Sequence, residues 1–194
     1  MGMGVKTNMP QSQPQKSKGY FIWELIRVAT FSFLTILIIR YFLFKPFYVK
    51  GASMEPNFYE SEYLIIDEIS YRFHKPERGE VIVFRPPNNQ RDFYIKRIIG
   101  LPGETVKFIN GDVVVYNSEN PNGFNLDESP YLINLDKPQE TVVLKLEDEE
   151  YFVLGDNRAV SSDSRRFGAV HRDSIVGRAW FRGWPLDRVG VVTD

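Results

Sequence analysis

Hydrophobic and polar positions divide this chain into three stretches of different character. Residues 1–19 carry Gln, Ser, Pro, Lys and Gly with few groups able to form a core, a composition that predicts a disordered tail. From residue 20 the pattern turns apolar, and Val28 to Phe44 is broken by one charge, Arg40, close enough to the end of the run to snorkel. Glu24 and Arg27, spaced i, i+3, fall in the earlier part of the same stretch. A helix over 20–44 is just long enough to cross a bilayer.

From Pro46 onward the period shortens to that of strands separated by turn residues. The pattern predicts strands over Phe47 to Val49, Tyr63 to Glu68, Val81 to Phe84, Phe93 to Ile99, Thr105 to Ile109, Asp112 to Tyr116, Thr141 to Leu146, Tyr151 to Leu154 and Ile175 to Phe181. The hairpin over Val106 to Val115 is the sharpest of these, because Asn110-Gly111 suits the two-residue turn that matches strand twist. Between Asn117 and Gln139, Asn, Pro, Asp and Ser mark a loop or a reduced subdomain. The fold class expected is mainly β, with antiparallel sheets over residues 45–194 and one N-terminal transmembrane helix before them.

Composition narrows the chemistry. A length of 194 residues suggests one domain plus appendages, and a net charge of −1 argues against a nucleic-acid partner. The absence of cysteine excludes disulfides and thiolate metal sites. His74 and His171 lie far apart without metal-ligand spacing and read as surface or structural residues, so no metal and no cofactor is expected.

Three segments carry candidate chemistry. Tyr48 to Pro56 places Ser53 in a tight turn, Tyr94 to Glu104 places Lys96 inside an apolar strand, and Gly155 to Arg165 is dense in hydroxyls and charges. Each alone reads as an ordinary turn or strand; all three in one small domain point to a serine activated by a lysine. A free hydroxyl attacks a carbonyl only when a neighbouring base takes its proton. Lysine serves as that base only when neutral, so its pKa must fall from ~10.4 to about 7 or 8, and burial supplies that shift. Strand alternation turns Tyr94, Lys96 and Ile98 to one face and Arg97 to the other, towards water or an acidic partner.

On these segments the chain resembles the signal peptidase I family of membrane-bound Ser-Lys proteases, from the apolar span to about Gly190. The resemblance implies Ser53 as nucleophile, Lys96 as general base, and Ser161 as the serine that orients the lysine amine. It implies Asp163 with Arg165, and Asp156 with Arg97, as charged pairs that buttress the site. It places Gly51 and Met54 in the turn that borders the oxyanion and substrate. Gly51 stands where part of the family carries a serine whose hydroxyl helps bind the oxyanion, while other members also have glycine. Asn57 and Phe58 stand where the family often has Thr and Leu, a change expected to affect packing beside the turn more than chemistry.

The resemblance also implies signal peptides of exported precursors as partners, with small residues one and three positions before the cut, and a lipid bilayer around the anchor. An extended substrate would pair with a sheet edge. Phe44, Phe47, Tyr48, Phe58 and Tyr59 are candidates either to dip into the bilayer surface or to pack the core, whereas Trp180, Phe181 and Trp184 are expected to be structural. Lys6, Lys16 and Lys18 precede the span and Arg40, Lys45 and Lys50 follow it, so charge alone does not orient it. The resemblance implies a cytoplasmic N-terminus and an extracytoplasmic catalytic domain in the plasma membrane.

Three other readings are weaker. A cleavable export signal fits poorly, because the apolar part is long and Lys50 would occupy a position that should be small. A self-cleaving Ser-Lys regulator would need a DNA-binding region, and residues 1–44 show no helix-turn-helix pattern. An inactive, membrane-tethered binding protein would have lost Ser53 or Lys96, and both are present.

Overall fold

A computed structural model describes residues 18–42, 44–132 and 138–193 of the chain. The predicted tail falls outside these residues except for Lys18 and Gly19, which belong to the first helix, and residues 133–137 of the predicted 117–139 loop also fall outside. The chain forms two compact units, Met1–Ile39 and Arg40–Asp194.

Helix α1 spans Lys18–Phe42 and starts before the predicted span. Its stretch Gly19–Leu37 is long and apolar enough to cross a membrane. Phe21, Trp23, Leu25, Phe31 and Phe33 are all exposed, so the helix is apolar around its circumference, unlike the one-sided stripe of a helix lying on a core. Several of its polar groups bond within the helix: Arg27 pairs with Glu24 at 3.2 Å, while the Thr30 and Thr35 hydroxyls each donate at 2.8 Å to the carbonyl four residues earlier, of Ile26 and Phe31.

The second unit is built on two antiparallel sheets. The larger runs β1 (Phe44–Tyr48), β2 (Tyr63–Asp67), β11 (Ile175–Trp184), β3 (Val81–Phe84), β4 (Tyr94–Gly100), β9 (Glu150–Leu154) and β10 (Val170–His171), and β12 (Gly190–Val191) also pairs with β11. The smaller sheet runs β7 (Phe124–Asn125), β6 (Asp112–Tyr116), β5 (Thr105–Ile109) and β8 (Thr141–Lys145). A short helix, α2 (Ser164–Phe167), follows β9.

The mainly β, antiparallel class is the one expected, with corrections at particular elements. β1 begins at Phe44, ahead of the predicted Phe47, because pairing of Phe44 to Tyr48 with Asp67 to Tyr63 draws in the whole segment. Pro46 is tolerated there because β1 is an edge strand. β11 continues past Phe181 to Trp184 through register shifts at Ala179/Phe181 and Arg182/Trp184, which break the alternation by which a strand is recognised. Part of the 117–139 segment is structured: β7 pairs with β6, and the Leu126 amide donates to Val113. The Asn110-Gly111 turn has positive φ at both residues, 49° and 91°, as its two-residue hairpin requires.

Alternation distributes the core between three clusters. β3 is buried on both faces, with Val81 and Val83 joining Met54, Phe58, Leu64 and Ile66 on one side, and Ile82 and Phe84 joining Ile98, Tyr151 and Val153 on the other. Phe152 and Leu154 of β9 point instead to Ile99, Val106 and Phe108, which closes the small sheet over the end of the large one. One detail positions the site. β4 pairs with β3 from Tyr94 onward, but with β9 only from Arg97 onward, so among the described residues the edge of Tyr94 to Lys96 that faces β9 has no strand beside it.

Candidate active site

The turn after β1 presents Ser53. Gly51 adopts φ +78°, a left-handed conformation that favours glycine, and lets the chain fold back so that Glu55 and Phe58 amides donate to the Ala52 and Met54 carbonyls. Met54 and Phe58 anchor the turn by burying their side chains in the first cluster. The Met54 and Phe58 side chains therefore belong to the core. Tyr48 and Tyr59 are exposed, Phe47 is half-buried, and the Phe44 side chain lies outside the described atoms. Of the late aromatics, Trp180 and Phe181 are half-buried whereas Trp184 is exposed.

β4 brings Lys96 against this turn. Its Nζ donates to Ser53 Oγ at 2.7 Å and to the Ile95 carbonyl at 2.8 Å, with the residue only 3 % exposed. Burial pulls the ammonium down to about 8, against the opposing influence of the Asp163 and Asp156 carboxylates. A neutral amine in contact with a hydroxyl oxygen is placed to take that hydroxyl's proton.

The segment after β9 wraps the pair. The Ser53 carbonyl accepts from the Asn157 amide at 3.1 Å. Asp163 caps α2 by accepting from the Arg165 amide, accepts from the Gly155 amide at 3.1 Å, and takes two guanidinium bonds from Arg165 at 2.8 and 2.9 Å. Arg165 reaches on to Glu140 beside the small sheet. On the other face of β4, Arg97 makes a two-pronged pair with Asp156, both bonds at 2.9 Å, and also donates to the Gly79 carbonyl at 2.7 Å. Both partners are almost wholly buried, and such charges are tolerated because each is fully hydrogen-bonded.

Ser161 is packed beside the pair but not bonded to it. Its hydroxyl is buried without a hydrogen-bond partner among the described residues, so the Lys96 amine is oriented by Ser53 and Ile95 and not by Ser161. Gly155 lies between the two serines: a β-carbon there would sit 2.2 Å from Ser161 Oγ and 2.4 Å from the Ser53 carbonyl. Ser162, with Ser53 and Lys96, lines a groove of about 830 Å³. One wall of that groove is Phe47 to Ser53, the other Arg91 to Lys96.

Several contacts were not legible as site features. Asn57 bridges the Ser53 turn to Asp156 and to the Tyr131 carbonyl, at 2.8 Å in both cases, and so does more than pack. The Tyr131 ring stacks on the Arg97 guanidinium at 4.3 Å, and its hydroxyl donates to Glu128, which pairs with Arg158. Except for Tyr131 and Glu128, three residues apart, these partners lie tens of residues apart, and no local motif marks them. His74 and His171 are exposed, and His171 caps the turn at 172–174.

Residues 22–184 match the family model described as "Signal peptidase, peptidase S26". A probable signal peptidase I-2 from Synechocystis sp. is 42 % identical, across 88 % of this chain and 77 % of that protein. Signal peptidase IB from Staphylococcus aureus is 34 % identical, across 85 % of this chain and 91 % of its own length. A crystal structure of a signal peptidase I from Enterococcus faecalis V583 aligns at 32 % identity and a TM-score of 0.44, covering 54 % of this chain and 97 % of that one.

Proposed function

Since the chain belongs to the signal peptidase family, peptidase S26, we propose that it removes signal peptides from exported precursors with Ser53 as nucleophile and Lys96 as general base. Membership makes it a serine peptidase, a hydrolase acting on peptide bonds. The contact of Lys96 Nζ with Ser53 Oγ at 2.7 Å, inside a site that holds the amine near 8, is the observation that supports the dyad.

In this reading the precursor lies extended in the groove between Tyr48 to Ala52 and the free edge of Tyr94 to Lys96, where backbone pairing sets the scissile amide over Ser53. Lys96 takes the Ser53 proton as Oγ attacks the carbonyl carbon. The resulting ammonium then protonates the departing amine, leaving an acyl-enzyme and a neutral lysine. Water enters, gives its proton to Lys96 and attacks the ester, and the proton returns to Ser53 as the acid product leaves. The Ser53 amide, which donates to no acceptor among the described residues, supplies one hydrogen bond to the oxyanion. Asp156 with Arg97 ties β4 to the 155–165 segment, and Asp163 with Arg165 holds the shape of that segment.

Helix α1 is the anchor in this reading. Residues 1–19 form a cytoplasmic tail, residues 20–44 cross the plasma membrane, and residues 45–194 act outside it, where precursors emerge from the bilayer. The test is cleavage of a precursor by purified Ser53→Ala and Lys96→Ala proteins. Both are expected to be folded and inactive, and substantial cleavage by either would remove the dyad.

A further inference from the structure

Asn57 has a place in the site that its type and position do not announce. It follows Ser53 on the nucleophile turn, is half-buried, and its amide nitrogen donates to Asp156 Oδ2 and to the Tyr131 carbonyl, both at 2.8 Å. Both neighbours only accept, so the nitrogen, and not the oxygen, must face them. The Asn57 carbonyl is itself held, by Arg182 at 2.6 Å and Arg188 at 3.0 Å.

These bonds close a loop through the reacting pair. Ser53 Oγ meets Lys96 Nζ; Lys96 is joined through the backbone to Arg97; Arg97 pairs with Asp156; Asp156 accepts from Asn57, which leads back along the turn to Ser53. A second bond, from the Asn157 amide to the Ser53 carbonyl, ties the same turn to the same segment. With both bonds the turn is tied twice to the 155–165 segment. Without the Asn57 bond the turn keeps its buried Met54 and Phe58 anchors and the Asn157 bond, but loses its side-chain link to Asp156 and through it to Arg97 on the strand that carries Lys96.

Building on the Ser53–Lys96 reading, we propose that Asn57 is a positioning residue that sets the nucleophile against the general base by bridging the nucleophile turn to Asp156. Asn57 does not line the groove, so its removal is expected to act on the chemical step and not on binding. A misplacement of about 1 Å at a reacting pair lowers turnover by as much as ~100-fold. The expected loss for a partly relaxed turn is at least about tenfold.

The test measures kcat, KM and Tm of the full chain in detergent micelles, acting on a precursor, for Asn57→Ala and Asn57→Thr. Asn57→Ala is expected to lower kcat at least about tenfold with KM within about twofold of the parent. Asn57→Thr keeps a side-chain donor and is expected to recover most of that turnover. A kcat within about twofold in Asn57→Ala, a loss confined to KM, or a threonine variant that recovers Tm but not kcat would each overturn the proposal. If Asn57→Ala does not fold, Asn57→Gln replaces it under the same limits, because it displaces the amide by one methylene while keeping both protons. Ser53→Ala measured alongside separates the two ideas: activity surviving there overturns the dyad and this inference with it, whereas an inert Ser53→Ala beside a fully active Asn57→Ala overturns this inference alone.

Discussion

Gly155 presses its bare α-carbon against Ser161, whose hydroxyl oxygen lies 2.2 Å from where a β-carbon would stand. The same β-carbon would come within 2.4 Å of the Ser53 carbonyl, a backbone atom held by the Asn157 amide. Relief therefore requires the nucleophile turn itself to shift.

Gly155→Ala is expected to fold with a loss of about 1–3 kcal/mol, as overpacking usually costs, and to lose far more turnover than that loss of stability implies. Chemical denaturation and single-turnover kinetics check the two halves. Parent-like kcat in Gly155→Ala would show that the Ser53 turn does not depend on this contact.

Lys96 ties activity and stability to the same proton. With the amine at about 8 in the folded protein, the neutral base is lost as pH falls, so kcat/KM should drop on the acid side through an apparent value of about 8. Stability moves in the opposite sense to an ordinary ion-paired lysine. Between about 8 and the ordinary 10.5, the unfolded chain binds a proton that the folded chain releases, so the fold is penalised increasingly as pH falls through this window and by a constant amount below it. That gap corresponds to roughly 3 kcal/mol. Lys96→Met should therefore be inactive yet more stable than the parent at pH ~6, by up to about that amount less the two lost hydrogen bonds, with the advantage gone above pH ~10.5. Thermal melts across this range decide it, and a variant less stable at every pH would contradict the assigned burial cost.

Gly51 sits at φ +78° with nothing within 4 Å of a β-carbon, so backbone conformation and not space constrains the position. Any L side chain there costs about 1–2 kcal/mol, and asparagine less than others. Gly51→Ser and Gly51→Ala are expected to lose similar stability and Gly51→Asn less, measured by denaturant unfolding. A serine hydroxyl at this site would thus be gained only against backbone strain. An unstrained Gly51→Ala would show that the left-handed turn is dispensable.

The parts of this molecule legible in its sequence are those written locally. The 105–116 hairpin follows from alternation around Asn110-Gly111, and β3 and β4 follow from apolar runs bounded by turns. Ser53, Lys96 and the 155–165 segment stand out because their residue types are unusual for the turns and strands that carry them. The rest depends on partners far away along the chain. The start of β1 is set by β2, and the far end of β11 is carried through two register shifts. Asn57 looks like a neutral turn residue until Asp156 folds against it. Met54 adjoins the nucleophile, yet its side chain serves the core because the turn reverses direction after Ser53.

Lys96 reaches across 43 residues to Ser53, and Arg97 across 59 to Asp156, so the strands between them must all be in register before either contact forms. Long-range pairings of this kind assemble late and together. A chain still emerging from the ribosome, or only partly folded, holds a serine with an ordinary hydroxyl and a lysine that is simply a solvated cation. Completion of the sheet is thus what brings the amine to the hydroxyl, and the contact between Lys96 and Ser53 exists only in the folded domain.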